Sequence, residues 1–287
     1  MPVELSYFQA VVLGIVEGLT EFLPVSSTGH LTIAEQILGL PVDAPSVTAY
    51  TAIIQIGAIV ATFIYFARKI AALFMAWVRG LRDATAREDR QYSLAWAVIV
   101  GSLPVGIVGF ALRNVIEGPL RSLWVVAGAL VLWSGVIWWA EGRHDRIEAE
   151  GTQRGEEGVS VKDGLVIGLV QCFALIPGVS RSGATISAGL ARGLDRVTAT
   201  ELSFFMAIPA LTAAGLFQVV QQGEDLRTLG VGQMLVGILV AFVTAYASIA
   251  WLLRFVAGHS LRSFVGYRVA LGAGLAVALA AGWMSAT

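Results

Sequence analysis

Six stretches of the chain are apolar almost without interruption: residues 46–66, 92–112, 122–140, 202–220, 229–253 and 263–284. A helical crossing of hydrocarbon needs about 20 such residues, so each stretch predicts a transmembrane helix. Two further apolar segments, 3–23 and 161–176, break differently. Each runs into a proline, then a Ser-rich polar turn, then a short apolar piece. That order predicts a re-entrant helical hairpin, since broken backbone is tolerated at membrane depth only where protein or water surrounds it. The expected fold class is therefore an all-α polytopic membrane protein with six transmembrane helices and two re-entrant hairpins.

Sliding the sequence on itself by 154 positions shows why the pattern recurs. Gly14, Val16, Val25, Ser26, Gly29, Ala34 and Gly39 fall without a gap on Gly168, Val170, Val179, Ser180, Gly183, Ala188 and Gly193. The first long stretch then falls on the fourth, and the second and third match the fifth and sixth after a shift. Each half, about 1–142 and about 160–287, is one hairpin plus three crossings within a single membrane domain, with a connector at about 143–160. Three is odd, so the second half is expected to lie inverted relative to the first. Inverted repeats with broken helices meeting near the midplane are the architecture of many secondary transporters.

Loop charge orients this arrangement. With six crossings, one side collects Arg68, Lys69, Arg79, Arg82, Arg87, Arg90, Arg143, Arg146, Arg154, Lys162, Arg192, Arg196, Arg254 and Arg262, and the other only Arg113, Arg121 and Arg227. The richer side should be cytoplasmic, which puts both termini outside. In a bacterial inner membrane, outside is the periplasm, and a midplane site is expected to open toward it. The segment RKIAALFMAWVRGLRD sets Ile70, Leu73, Phe74, Trp77, Val78 and Leu81 on one helical face and reads as an interfacial helix. Residues 143–162 mix charges with glycine and read as a solvated connector.

Composition adds exclusions. At 287 residues, 56% hydrophobic, 14% charged and mean hydropathy +0.76, the chain is too apolar for a soluble domain and too long for a single-pass anchor. The formal charge of −1 gives no indication of nucleic acid. One cysteine, Cys172, excludes an internal disulfide and a Cys zinc cluster; it reads as a small apolar filler. Glu4, with no Lys or Arg before it, departs from a basic signal-peptide start, so the N-terminus is expected to be retained. His144 and His259 fall in expected loops. The glycine-rich run 271–282 suits close helix packing, within the monomer first and across a homodimer second.

Against this apolar background, EGLTEFLPVSSTGH at positions 17–30 gathers two carboxylates, two serines, two threonines and a histidine. Burying such groups in hydrocarbon costs several kcal/mol each unless they are paired or hydrated. Glu17 and Glu21, four apart, share a helix face. Side by side they repel, which suits either an acid–base group or a metal ligand. Pro24 ends the helix, and Ser26, Ser27 and Thr28 are good caps for a new one starting near Gly29. Ser27, His30 and Glu21 together are also the parts that activate a nucleophile.

The second copy reads PGVSRSGAT at 177–185, and there the acids are gone: Gln171 stands at the place of Glu17 and Leu175 at that of Glu21. Arg181 appears opposite Ser27. A glycine-flanked turn with hydroxyls, a helix N-terminus and one guanidinium makes an anion cradle. Alternatively Arg181 pairs with Glu17 or Glu21 to neutralise a buried site, and a substrate could compete for it. If the two tips meet, the site is embedded in the bilayer and its substrate is an amphiphile with an anionic head.

These two motifs, in this order and separation, resemble the undecaprenyl-diphosphate phosphatase family, also described as bacitracin-resistance proteins. The resemblance covers essentially the whole chain. It implies hydrolysis of undecaprenyl diphosphate to the monophosphate and inorganic phosphate, recycling the lipid carrier of cell-wall synthesis, usually with a divalent cation. Its functional positions correspond to Glu17, Glu21, Ser27 and His30, and to Ser180, Arg181, Ser182 and Thr185. Ser26, Thr28 and Gly178, in the same turns, are expected to line the substrate with them. On this basis Ser27 is the expected nucleophile, Glu21 its base, Arg181 the stabiliser of the equatorial oxygens, and Glu17 with Glu21 the ligands of Mg²⁺ or Ca²⁺. His30 orients Ser27, protonates the leaving phosphate, or is itself the nucleophile. The rival expectation is a polyprenyl-phosphate flippase, because the same inverted repeat builds transporters.

Overall fold

A computed structural model describes residues 5–42, 44–221 and 230–286, without the side chains of 117 and 218–221. Glu4, Arg227 and the expected start of the fifth span at Leu229 lie outside the described residues. Those described form helices α1 (Tyr7–Thr20), α2 (Ser27–Ile37), α3 (Pro45–Tyr65), α4 (Ala67–Arg82), α5 (Arg90–Ala111), α6 (Arg113–Glu117), α7 (Leu123–Ala149), α8 (Val161–Gln171), α9 (Arg181–Ala191), α10 (Arg196–Gln221), α11 (Val231–Val256) and α12 (Arg262–Ala280). No β-strand occurs among them, only an isolated bridge between Arg154 and Leu194. Six helices, α3, α5, α7, α10, α11 and α12, are long and apolar enough to cross a membrane. The chain is an all-α, multi-pass membrane protein.

The repeat read from sequence recurs in local geometry. Ser6 and Gln9 close a capping box at the start of α1, and Ser160 and Asp163, 154 positions on, close one at the start of α8. Ser26 and Ser180 share a φ of +77°, a left-handed conformation that costs a non-glycine residue about 1–2 kcal/mol. They are the only such non-glycine residues among those described.

The two halves interlock. The first helix of each hairpin lies against the second long helix of the other half, α1 on α11 and α8 on α5, while α7 packs on α12 and α3 on α10. Glycine permits the approach at equivalent places. A Cβ on Gly14 would meet the Gly237 carbonyl at 2.8 Å, and one on Gly168 would meet the Gly101 carbonyl at 2.0 Å. Tyr50, wholly buried on α3, ties the first of these contacts by donating to the carbonyls of Ala10 and Gln233. Gly272, in the glycine-rich run, presses on α7 within the chain, where a Cβ would meet the Ala127 carbonyl at 2.9 Å.

Two expectations need correction. The third span does not stop at 140 but continues as α7 to Ala149, so His144 is buried in a helix and not set in a loop. The connector is also anchored, not simply solvated. Arg154 donates to both oxygens of Asp163 (2.8 and 3.1 Å) and to the carbonyls of Gly158 and Arg192. Arg192 joins the same carboxylate at 2.8 Å. Lys69 on α4 bridges Glu156 of the connector to Glu201 of α10. Hydrogen bonding of this density outweighs the cost of burying Asp163, which would raise its pKa, and holds it well below the usual carboxylate range.

Candidate active site

The first turn departs from the capping expectation. α2 starts at Ser27, two residues before Gly29, and its N-cap Ser26 makes no side-chain cap bond. The Ser26 Oγ instead accepts the Gly178 N–H of the second turn at 3.1 Å. In that second turn Ser180 does cap α9, accepting from the Gly183 N–H at 3.2 Å. Gly178 has φ +99°, and a Cβ there would meet the Val126 carbonyl at 2.5 Å, so backbone conformation and space both require glycine. Ser182 reaches back across the join and donates to the Leu23 carbonyl at 3.0 Å. The two turns therefore touch.

At their junction Ser27 Oγ donates to Glu21 Oε2 at 2.6 Å. Arg181 donates to Glu21 Oε1 from Nε (3.3 Å) and Nη2 (3.2 Å), and its Nη1 holds the Ser203 carbonyl of α10. One carboxylate thus joins a hydroxyl to a guanidinium, with Arg181 paired to Glu21. Glu17 is 1% exposed, and its Oε1 has no hydrogen-bond donor among the described residues; Gln55 and Glu21 are its neighbours.

His30 stands apart from this chain. Its Nδ1 lies 2.7 Å from the Ser26 carbonyl, which requires a proton on Nδ1. Nε2 shares a hydrogen bond of 2.6 Å with the Tyr267 hydroxyl. The imidazole does not hydrogen-bond Ser27. Ser180, Ser182 and Thr185 are buried in loop and helix packing; the Thr185 hydroxyl donates to the Arg181 carbonyl (2.8 Å) and lies 2.6 Å from Ser203 Oγ, whose proton completes the pair, supporting the α9 start. Thr28 is exposed beside half-exposed Ser27.

Two residues of α12 were not anticipated. Tyr267, 49% exposed, stacks its ring near His30. Arg268, 0% exposed, holds the carbonyls of Pro24, Gly178 and Val179 and the hydroxyl of Ser134. The signal for Arg268 was present, since an ionisable residue inside an apolar span marks a functional or buried polar site. Tyr267 gives no such signal, being an ordinary aromatic in an ordinary span.

Among the described residues, no three His, Cys, Asp or Glu gather as a closed metal cage. The Glu17–Glu21 pair, with one orphaned oxygen, fits a cation shared with a substrate, because Mg²⁺ commonly takes one or two carboxylates plus phosphates and waters.

A multi-pass helical membrane protein that sets a serine against a carboxylate and an arginine, between two touching turns, is equipped for an anionic, phosphate-bearing lipid. The chain belongs to the family described as bacitracin resistance protein BacA, whose sequence model matches residues 10–274. It is 56% identical to Undecaprenyl-diphosphatase 3 of Frankia casuarinae, over 99% of this chain and 100% of that protein. It is 53% identical to Undecaprenyl-diphosphatase 1 of Streptomyces coelicolor, over 93% and 94%. The Undecaprenyl-diphosphatase of Acidothermus cellulolyticus is 52% identical, over 96% and 98%.

Proposed function

We infer that this chain hydrolyses undecaprenyl diphosphate to undecaprenyl phosphate and inorganic phosphate, returning the lipid carrier to cell-wall synthesis in a bacterial cytoplasmic membrane. The observation that carries the reaction is the Ser27–Glu21–Arg181 chain, in a family whose named relatives are undecaprenyl-diphosphatases.

In this reading Ser27 Oγ attacks the terminal phosphorus and its proton passes to Glu21 Oε2, 2.6 Å away. The bond from that phosphorus to the bridging oxygen breaks, and undecaprenyl phosphate leaves. Glu21 passes that proton to the departing phosphate oxygen and, ionised again, takes one from a water that attacks the phosphoserine; the bond from phosphorus to Ser27 Oγ breaks, Glu21 returns its proton to Oγ, and inorganic phosphate is released. Arg181 is drawn from Glu21 toward the transferring group, where little covalent help is needed and charge neutralisation dominates. Glu17 and Glu21 would hold a divalent cation, which would supply further positive charge against the diphosphate. His30, held by the Ser26 carbonyl and the Tyr267 hydroxyl, keeps the turn in place and does not take the Ser27 proton.

In this reading the Arg-rich loops are cytoplasmic, both termini lie outside, and the site opens toward the periplasm; the positive-inside bias of the loops supports the orientation. Flipping of polyprenyl phosphate is not favoured, because moving an anion needs Arg181 but not a serine hydrogen-bonded to a carboxylate. The test is phosphate release from undecaprenyl diphosphate by purified protein in detergent, with and without EDTA, followed by a denaturing quench in SDS at neutral pH, which preserves both phosphoserine and phosphohistidine. Phosphate with a trapped phosphoserine at Ser27 is the expected result; a phosphohistidine at His30 would overturn the assignment of the nucleophile, and no release would overturn the reading.

A further inference from the structure

Arg268 sits on α12 with no exposed surface, and among the described residues its hydrogen-bond partners include no carboxylate. Nη1 donates to the Pro24 carbonyl at 2.8 Å, and Nη2 to the carbonyls of Gly178 (2.9 Å) and Val179 (3.1 Å). Nε donates to Ser134 Oγ of α7 at 3.2 Å. Pro24 lies three residues after Glu21 and three before Ser27; Val179 is two before Arg181. One planar fork therefore grips both site turns, one from each half of the repeat.

We propose that Arg268 is a positioning residue that sets the spacing and orientation of the two turns, and so the register of Ser27 and Glu21 against Arg181, without touching the substrate. Two physical arguments carry it. A guanidinium offers five N–H donors in a rigid plane, so the carbonyls it binds cannot shift independently. Apart from the Arg181–Glu21 ion pair, the two turns are otherwise joined among the described residues by two side-chain to backbone bonds, Gly178 N–H to Ser26 and Ser182 to Leu23. A displacement of about 1 Å in such a site can cost about a hundredfold in rate.

The proposal rests on the phosphatase reading, and the experiment separates the two. Wild type, Arg268→Lys, Arg268→Met and Ser134→Ala are purified in detergent, and thermal unfolding, kcat and KM for undecaprenyl diphosphate are measured on the monodisperse fraction. Lysine keeps the charge but cannot span both turns. The expected result is a kcat at least 30-fold lower for Arg268→Lys, with KM within threefold of wild type, and a greater loss for Arg268→Met. Wild-type kcat in the folded fraction, with only a lowered unfolding temperature, makes Arg268 purely structural and overturns the proposal. A raised KM at unchanged kcat means direct substrate binding and overturns it equally. If neither Arg268 variant folds, Ser134→Ala decides: a kcat at least threefold lower at unchanged KM supports the clamp, and unchanged kcat overturns it. If wild type itself releases no phosphate, the phosphatase reading falls and takes the proposal with it, whereas an active wild type beside an equally active Arg268→Lys removes the proposal alone.

Discussion

The two turns at the centre of the molecule share a backbone and differ in chemistry. Ser26 and Ser180 have the same left-handed φ, and the capping boxes upstream sit at the same offset. Yet the first turn carries Glu17, Glu21, Ser27 and His30, while the second carries Gln171, Leu175 and Arg181 in their register. Even the paired serines have parted: Ser180 caps its own helix and Ser26 binds the other turn. A duplicated scaffold can thus supply two unlike halves of one site, because the backbone fixes where the tips meet and the side chains decide what meets there.

The most severe way to break this asymmetry is to remove one side of the contact. Glu21→Gln and Arg181→Ala should each lower phosphate release about a thousandfold, the range expected for a base or a charge-stabilising donor, with the protein still monodisperse.

The capping boxes sharpen the comparison in stability. Asp163→Asn leaves Arg154 and Arg192 without their carboxylate and should cost about 3 kcal/mol, against about 1 kcal/mol for Gln9→Ala. Because the folded-state pKa of Asp163 is depressed, its contribution is fully present above the unfolded value of about 3.9 and lost as pH falls toward the folded one. The unfolding-temperature gap between wild type and Asp163→Asn should therefore be constant from pH 8 to about pH 5 and shrink below about pH 4.

Ser26→Ala, which orphans the buried Gly178 N–H, should cost about 1–3 kcal/mol and lower activity with it. Ser180→Ala should cost about 1 kcal/mol, and Ser180→Gly less, since glycine relieves the strain at φ +77°. Tyr267→Phe removes one hydrogen bond to His30 and should cost about 1 kcal/mol of stability, with kcat lowered no more than about fivefold.

The smallest effect should come from Gln171→Leu. The Gln171 amide is buried with neither atom hydrogen-bonded among the described residues, so leucine should leave activity within about twofold and stability unchanged or slightly higher. Glu17→Leu at the equivalent position should abolish any metal dependence, read as loss of the EDTA effect.

The spans and the repeat were legible because hydrocarbon demands long apolar runs and duplication leaves glycines in register. The turns were legible as clusters of costly polar groups. Three features were not. The helix start at Ser27 in place of Gly29, and the diversion of Ser26 from capping, depend on the other turn, 152 residues away at Gly178. The separation of His30 from Ser27 depends on Tyr267, whose place in an apolar span looks like any lipid-facing aromatic. The continuation of α7 through charged residues 143–149 is accompanied by ion pairs of Asp145 with Arg196 and Arg262, again distant in sequence.

The cross-docking of α1 on α11 also has a cost during synthesis. Val231 follows Tyr7 by 224 residues, which at about 5–20 residues per second leaves the first hairpin without its partner helix for roughly 10–45 s. Through most of that interval Glu17 and Glu21 have no Arg181, so a nascent chain must shelter two carboxylates in water, lipid headgroups or the insertion machinery. The same interlock that builds the site from both halves makes the finished protein's last helices the ones that complete the burial of its first.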